Sequence, residues 1–484
     1  MPGATPGLRV DRVAVRHAMK LLFLCHRLPY PPKRGGKIRP FNMIRHLSRN
    51  HDVTVATLAR NQTERLEGQE LRNYCRELLV GLIPAWAAWS RFGVHGFTRY
   101  PSTFAYFHSR WLAREVRGRL HSDRFDAIVV HSSSMGPYVA HHQGCRKVMD
   151  FGDADSEKWS TYARTAPWPL SFGFRLESTK VRRYESWLGS RFDVGSVISE
   201  QERRALARLV SRPIVVIPNG VDLGYFSPRS SGPSRHAERP CLILTGNMAY
   251  RANVDAAKHL VADILPRIHG QRPDVRLYIV GMDPTLAVRR LSDGDRVVVT
   301  GRVEDVRPYF EQAAVAVAPL RMARGLQNKV LEAMAMGVPV VASPEAVGGI
   351  DAVPSRDLLV ARGSESFAGA VLRLLEDPQL SARYAAAGRA YVTEHHDWAQ
   401  LLGRLEALVV GDLEPERRRD LQHRSPNQPN HPVAPAPRQL DGSVITADQT
   451  TESLAGAMES LADGRPAPGH REQPGVRGGG HRDT

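Results

Sequence analysis

Cysteine is scarce in this 484-residue chain: Cys25, Cys75, Cys145 and Cys241 are scattered along it. Their spacing builds neither a disulfide framework nor a metal knuckle, which suits a reducing cytoplasm. Long apolar runs are missing too. No stretch reaches the roughly 18 uncharged apolar residues that a membrane span needs. The start, "MPGATPGLRVDRVAVRHAMKLLFLC", carries basic residues and then only five apolar ones before His26. A secretory core needs about 7 to 15, so "LLFLC" is expected to be the first buried strand, with Met19 an alternative start. The chain has no repeat of solenoid period and none of the standard nucleic-acid motifs. Its first glycine loop lacks the G-x-G-x-x-G spacing, which disfavours a nicotinamide cofactor.

Positive charge is what the chain has in excess, with a net of +16. Residues 1–210 carry 34 Lys and Arg against 18 Asp and Glu, while residues 211–410 carry 23 against 21. The excess therefore lies in the first half, which points to an anionic partner there: membrane, phosphorylated substrate or nucleic acid. Residues 91–125 interleave Arg with Phe, Tyr and Trp. A helix pair with a solvated basic face is one reading. The favoured one is contact with an anionic inner-membrane surface, aromatics at headgroup level, rather than with nucleic acid.

Short apolar runs alternate with amphipathic stretches in both halves, the βαβ pattern of a parallel sheet covered by helices. Expected strands are 20–26, 52–58, 126–132, 147–151 and 194–199, then 241–246, 275–281, 296–301, 315–320 and 339–343. Helices are expected at 37–49, 254–267, 306–313 and 328–336. The implied fold is α/β, two Rossmann-like domains facing across a cleft, with a disordered C-terminal tail. The expected boundaries are an extension at 1–18, a first domain at 19–210, a hinge at 211–240 and a second domain at 241–385. A closing helix at 386–410 and the tail at 411–484 complete the chain. Such paired sheets bind ligands at their carboxyl ends, and a nucleotide-type ligand fits.

Two loops are candidates for holding a diphosphate. In "PPKRGGKIR", Gly35 and Gly36 form a tight turn before a helix, where bare N–H groups meet the positive dipole end. Lys33, Arg34, Lys37 and Arg39 surround it. In "RGLQNKVLEAMAMGVPVVAS" (324–343), Gly325, Leu326 and Gln327 lead into a helix that Asn328 can cap. Lys329 stands in its first turn, where the dipole disfavours a cation, so an anionic ligand explains it better. Glu332 lies one turn on. It is either an intrahelical partner for Lys329 or a carboxylate for the hydroxyls of a nucleotide ribose.

The segment "NKVLEAMAMGVPVVAS" resembles the donor-site stretch of retaining glycosyltransferase family 4, written E-x7-E followed by A-M-A-x-G-x-P-V-V-A. "PPKRGGKIR", "VISEQERRAL", "IPNGVD", "LTGNMAYRANVDAAKHL", "YIVG" and "VTGRVEDVRPYF" support it in order, over about residues 19–410. "LPYPPKRGGKIR", "DFGDADSEKW" and "ARGLQNKVLEAMAMG" look closest to sugar transferases of PEP-CTERM/exosortase exopolysaccharide clusters. The resemblance implies a GT-B fold and transfer from a nucleotide sugar, with retention, to a lipid-linked or growing exopolysaccharide acceptor. It implies no cofactor and no metal, the nucleotide sugar being a substrate; the scattered cysteines and the basic first half lead to the expectation of a cytoplasmic protein peripheral on the inner membrane face. Glu332 matches the second glutamate of the motif, the ribose ligand. The first falls at Arg324, so sugar contacts are not carried over there, and Arg324 is expected near donor phosphate or an acidic acceptor.

Gly246, Arg251, Asn253, Gly301 and Arg302, from the "LTGNMAYRAN" and "VTGR" segments, complete the expected donor set. Asp153 and Asp155 form a D-x-D pair that could hold a nucleotide-bound cation, contact the acceptor together with Arg39 and Lys158, or cap the next helix. Acceptor contact is preferred. His131 ends an expected strand at the cleft and reads equally as catalytic or structural, while the histidines at 141–142 and 395–396 read as surface residues. Two other functions share this architecture: a nucleotide-sugar epimerase or hydrolase, and a non-catalytic polysaccharide-assembly protein.

Overall fold

The computed structural model describes residues 18–32, 35–228, 239–322 and 326–412. The expected tail beyond 412, residues 229–238 of the expected hinge, Lys33, Arg34, Arg324 and Gly325 lie outside them. Among the described residues no helix is long and apolar enough to cross a membrane.

The apolar runs become two all-parallel sheets. The first contains β1 (Lys20–Cys25), β2 (Asp52–Ala59), β3 (Glu77–Leu82), β4 (Ala127–His131), β5 (Arg146–Gly152), β6 (Val194–Val197) and β7 (Ile214–Val216), in the order 3-2-1-4-5-6-7. The second contains β8 (Cys241–Thr245), β9 (Arg276–Val280), β10 (Val297–Gly301), β11 (Ala313–Ala318), β12 (Val340–Ala342) and β13 (Leu359–Val360), in the order 10-9-8-11-12-13. Strand order reverses between β1 and β4 and again between β8 and β11. Those switch points are where doubly wound sheets bind ligands.

Two expected boundaries move. The first sheet runs on through β7, past residue 210, because Gly195–Val197 of β6 still has a free edge for Ile214–Val216. The closing region divides in two. The Ser364–Glu376 and Pro378–His395 helices cover the second domain, whereas the Trp398–Val410 helix packs on the first. Its Leu401, Leu402, Leu405, Leu408 and Val409 join Leu21, Phe23, Ile44 and Leu47 in one buried cluster. Each such side chain contributes about 1.5–3 kcal/mol on burial, so this helix is energetically part of the first domain. Glu406 fixes its register, accepting from His46 at 2.8 Å, Asn50 at 3.0 Å and His51 at 3.1 Å.

The chain thus crosses between domains twice, at 217–222 and 396–398, and the crossings touch. Val221 N–H donates to the His396 carbonyl at 2.7 Å, and His396 Nδ1 meets the Asn219 carbonyl at 2.8 Å. His396 is therefore buried in the hinge rather than on the surface, while His141 and His395 are exposed.

Candidate active site

The ends of β8, β9 and β10 meet in three glycines. Gly246 N–H donates to the Val280 carbonyl at 3.1 Å, and Gly281 N–H to the Gly301 carbonyl at 3.3 Å. Gly281 has φ +158°, and a Cβ there would lie 1.6 Å from the Gly246 carbonyl oxygen. Only glycine permits that approach. A Cβ on Gly246 would stand 2.6 Å from Asn253 Nδ2 and 3.3 Å from Lys329 Nζ, so backbone, amide and ammonium are in contact range.

Lys329 Nζ donates to Asn253 Oδ1, and Asn253 Nδ2 donates to the Asn247 carbonyl at 2.8 Å. The sequence-predicted Gly246, Asn253, Gly301 and Lys329 are thus brought together beside the β8/β11 switch point. Asn328 is the first residue of the Asn328–Ala335 helix rather than its cap; Gln327 holds the cap position, with no side-chain bond to the open N–H groups. The buried Asn328 Oδ1 has no partner among the described residues. An uncapped helix start beside an ammonium group is a ready anion site.

Glu332 is half-buried one turn along, and among the described residues nothing hydrogen-bonds its carboxylate. Burial pushes its pKa up to about 7, with Lys329 opposing the shift. Burial likewise brings Lys329 down to about 8, with Glu332 opposing. Arg251, first in the Arg251–His259 helix, and Arg302 are exposed; Leu326 and Gln327 are half-buried on the approach to Lys329.

The first-domain loop differs from expectation. The helix begins at Gly35 itself, so Gly35 and Gly36 lie in its first turn rather than in a turn before it. Two of the basic residues expected around an anion are committed within the protein. Lys37 Nζ pairs with Glu64 at 2.9 Å. Arg39 is buried and does not face an acceptor: Nε and Nη2 donate to both oxygens of Asp150, at 2.9 and 2.7 Å.

Asp150 escaped the sequence reading, although a lone acid inside the buried run "KVMDF" was its signal. It is fully buried at the carboxyl end of β5 and also accepts from Ser196 Oγ at 2.7 Å. Its second oxygen lies 2.7 Å from His131 Nδ1. Burial opposes ionisation of Asp150, but Arg39 and then His131 hold its carboxyl well below the usual range. Beside His131, ring centroids 5.7 Å apart, lies His26, buried and with neither ring nitrogen partnered among the described residues. Burial, reinforced by Arg27, His131 and Lys158, keeps it neutral.

Asp155 accepts from Ser133 Oγ at 2.6 Å and lies 3.6 Å from Lys158 Nζ, and Lys158 is buried. Neither Asp153 nor Asp155 caps the Asp155–Thr165 helix, whose cap position is Ala154. Its open N–H groups go to distant acids instead: Ala154 N–H to Glu202 at 2.7 Å and Ser156 N–H to Glu185 at 3.1 Å. Among the described residues no three His, Cys, Asp or Glu side chains are grouped to hold a metal ion.

Burial, with Asp155 second, raises the Glu185 pKa from 4.5 to about 8. A raised carboxyl pKa costs nothing below the unfolded value, and its cost grows as pH climbs toward the folded one. Glu185→Gln is therefore expected to stabilise the protein by about 1–3 kcal/mol at pH 8, with the gain vanishing toward pH 4. Urea unfolding at both pH values reads this; an equal gain at both would reject an ionisation origin.

Residues 34–225 match the protein-family model described as Glycosyltransferase Family 4, and residues 239–377 that described as Glycosyl transferases group 1. The GDP-mannose-dependent monoacylated alpha-(1-6)-phosphatidylinositol monomannoside mannosyltransferase of Corynebacterium glutamicum is 27% identical over 276 residues, 52% of this chain and 69% of that one. The GDP-mannose-dependent alpha-(1-6)-phosphatidylinositol monomannoside mannosyltransferase of Mycobacterium tuberculosis is 28% identical over 248 residues, 46% of this chain and 63% of that one. The chain thus spans about two thirds of the length of these relatives.

Among solved structures, sucrose-phosphate synthase from Thermosynechococcus elongatus is similar with a TM-score of 0.60 at 18% identity, over 81% of this chain and 98% of that one. Anabaena HepE in complex with UDP-glucose gives 0.57 at 15%, over 82% and 100%. Fold and matched segments together define a glycosyltransferase of the GT-B type. The first half carries the match to the Glycosyltransferase Family 4 model and the second half the match to the group 1 model.

Proposed function

We propose that the chain transfers a sugar from a nucleotide-sugar donor to a lipid-linked saccharide acceptor, of the kind used in exopolysaccharide assembly, with retention and without a metal. The observation that carries the donor reading is the start of the Asn328–Ala335 helix, with Lys329 beside Gly246 and, one turn away, the Glu332 carboxylate, which accepts no hydrogen bond among the described residues. The helix N–H groups and Lys329 would take the diphosphate, and Glu332 the ribose hydroxyls. In the reaction the acceptor oxygen bonds to the anomeric carbon as the bond to the diphosphate breaks. The acceptor proton passes to the departing phosphate oxygen, so charge stabilisation of the leaving group is the main requirement. The nucleotide is supported by the UDP-glucose bound to HepE, and the lipid-linked acceptor by the phosphatidylinositol mannoside substrates in the relatives' names.

Glu332→Gln tests the donor site. Loss of a charged acceptor for two hydroxyls is expected to cost on the order of 1.5–3 kcal/mol of nucleoside-diphosphate binding, roughly ten- to a hundredfold. Calorimetry with GDP and UDP reads it. Unchanged affinity would remove Glu332 from the site. With wild-type groups at about 7 and about 8, affinity should peak between them, where Glu332 is ionised and Lys329 still charged.

Contact with an anionic membrane at the inner face is part of the same proposal. It is supported by the exposed aromatics Trp86 (78%), Phe97 (98%), Trp168 (82%) and Phe172 (65%), near exposed Arg99 and Arg175 in the chain. Arg91 is not part of this face: Nε and Nη2 donate to the Ala105 and Tyr106 carbonyls at 3.0 and 3.5 Å. Vesicle binding should need anionic lipid, weaken steeply with salt, and fall when Phe97, Trp168 and Phe172 are changed together to Ser. Equal binding to neutral and anionic vesicles, or none to either, would reject the membrane.

A further inference from the structure

We propose that Asp150 and Arg39 are positioning residues that join the orientation of His131 to the hinge between the two domains. The inference rests on the proposed glycosyl transfer, with the acceptor taken on the first-domain side as expected from the sequence. Asp150 is anionic and can only accept, so His131 must place its proton on Nδ1, 2.7 Å away, and Nε2 is the nitrogen left for chemistry. Ser196 and both arms of the Arg39 fork fix the carboxylate in turn. The remaining Arg39 nitrogen, Nη1, reaches the first interdomain crossing, donating to the Pro218 carbonyl and to Asn219 Oδ1, each at 3.2 Å.

Asn219 then meets the second crossing through its carbonyl and His396 Nδ1. One planar guanidinium thus touches the carboxylate that sets His131 and the peptide that must rotate when the domains move. Arg39 is 4% exposed and Asp150 fully buried, so neither is placed to bind substrate directly. Their reach into the chemistry is through His131.

The test uses the full chain. In 15N-histidine spectra, assigned through His131→Gln, the wild-type ring is expected to hold its proton on Nδ1. Asp150→Asn should let the two tautomers average; if that variant does not fold, Ser196→Ala, which removes one donor to Asp150 and no charge, should shift the same resonance. Asn219→Ala removes one of the two Arg39 acceptors at the hinge and leaves the Pro218 carbonyl. It should shift the His131 resonance and lower kcat about tenfold, with donor KM within about twofold. Asn219→Asp, which restores an acceptor for Arg39, should recover both.

A wild-type His131 without the fixed tautomer would overturn the role of Asp150. An Asn219→Ala protein with wild-type spectrum and kcat would overturn the link to the hinge. The spectra need no turnover, so a chain that transfers no sugar would sink the functional reading while the positioning claim is still decided.

Discussion

Asp150→Ala is expected to cost about 3–5 kcal/mol of folding stability, because it leaves the Arg39 guanidinium buried without its carboxylate. The bonds from Arg39 to Pro218 and Asn219 remain, but their acceptors are neutral and the bonds longer. His131 and Ser196 lose their partner in the same step. The difference should depend on pH in one direction. The Asp150 pKa is depressed in the folded state, so its contribution is complete above the unfolded carboxylate range and is lost as pH falls toward the folded value. Denaturant curves of variant and wild type should therefore converge toward acid. A difference under about 1 kcal/mol at pH 7 would mean that the network closes without Asp150.

Gly281→Ala is expected to be as severe in the other domain. The new Cβ would meet the Gly246 carbonyl oxygen at 1.6 Å and its carbon at 2.7 Å, and both atoms are backbone. No rotamer relieves that clash; β8 and β9 must part where Thr245 pairs with Val280. A loss on the order of 4 kcal/mol or more is expected, and nucleoside-diphosphate binding should fall with it, since Gly246 holds Asn253 and Lys329 in register. Gly294→Ala is the control. That residue has φ +83° with open space around it, so it carries backbone strain alone, about 1–2 kcal/mol. Equal losses in the two variants would place the cost in conformation rather than in contact between the strands.

The sheets were legible in the sequence because their central strands are buried on both faces and read as continuous apolar runs. β1, β2, β4, β5 and β6, and β8 through β12, fall within about two residues of expectation. The three missed strands, β3, β7 and β13, all lie at sheet edges, where one side has no partner strand and less apolar sequence is required. The Lys329–Glu332 pair was legible because charge in the wrong place on a short helix needs a reason. Arg39 and Lys37 misled for the opposite reason. Their acids, Asp150 and Glu64, lie far along the chain, and pairing across 111 and 27 residues leaves no local pattern. The same holds for the Trp398–Val410 helix, whose apolar stripe says that it is covered but not by which domain.

Two touching crossings have a mechanical consequence. A single flexible tether would let the domains swing and twist in any direction, whereas two attachments close together define a line, and rotation about that line is the easy motion. Glycine at 220 seats this pivot: a Cβ there would lie 2.6 Å from the Trp398 ring and 3.0 Å from the His396 carbonyl oxygen. The indole acts as a bearing surface for the opposite strand. Rotation about that line is then the expected hinge motion, and the second attachment resists the other directions.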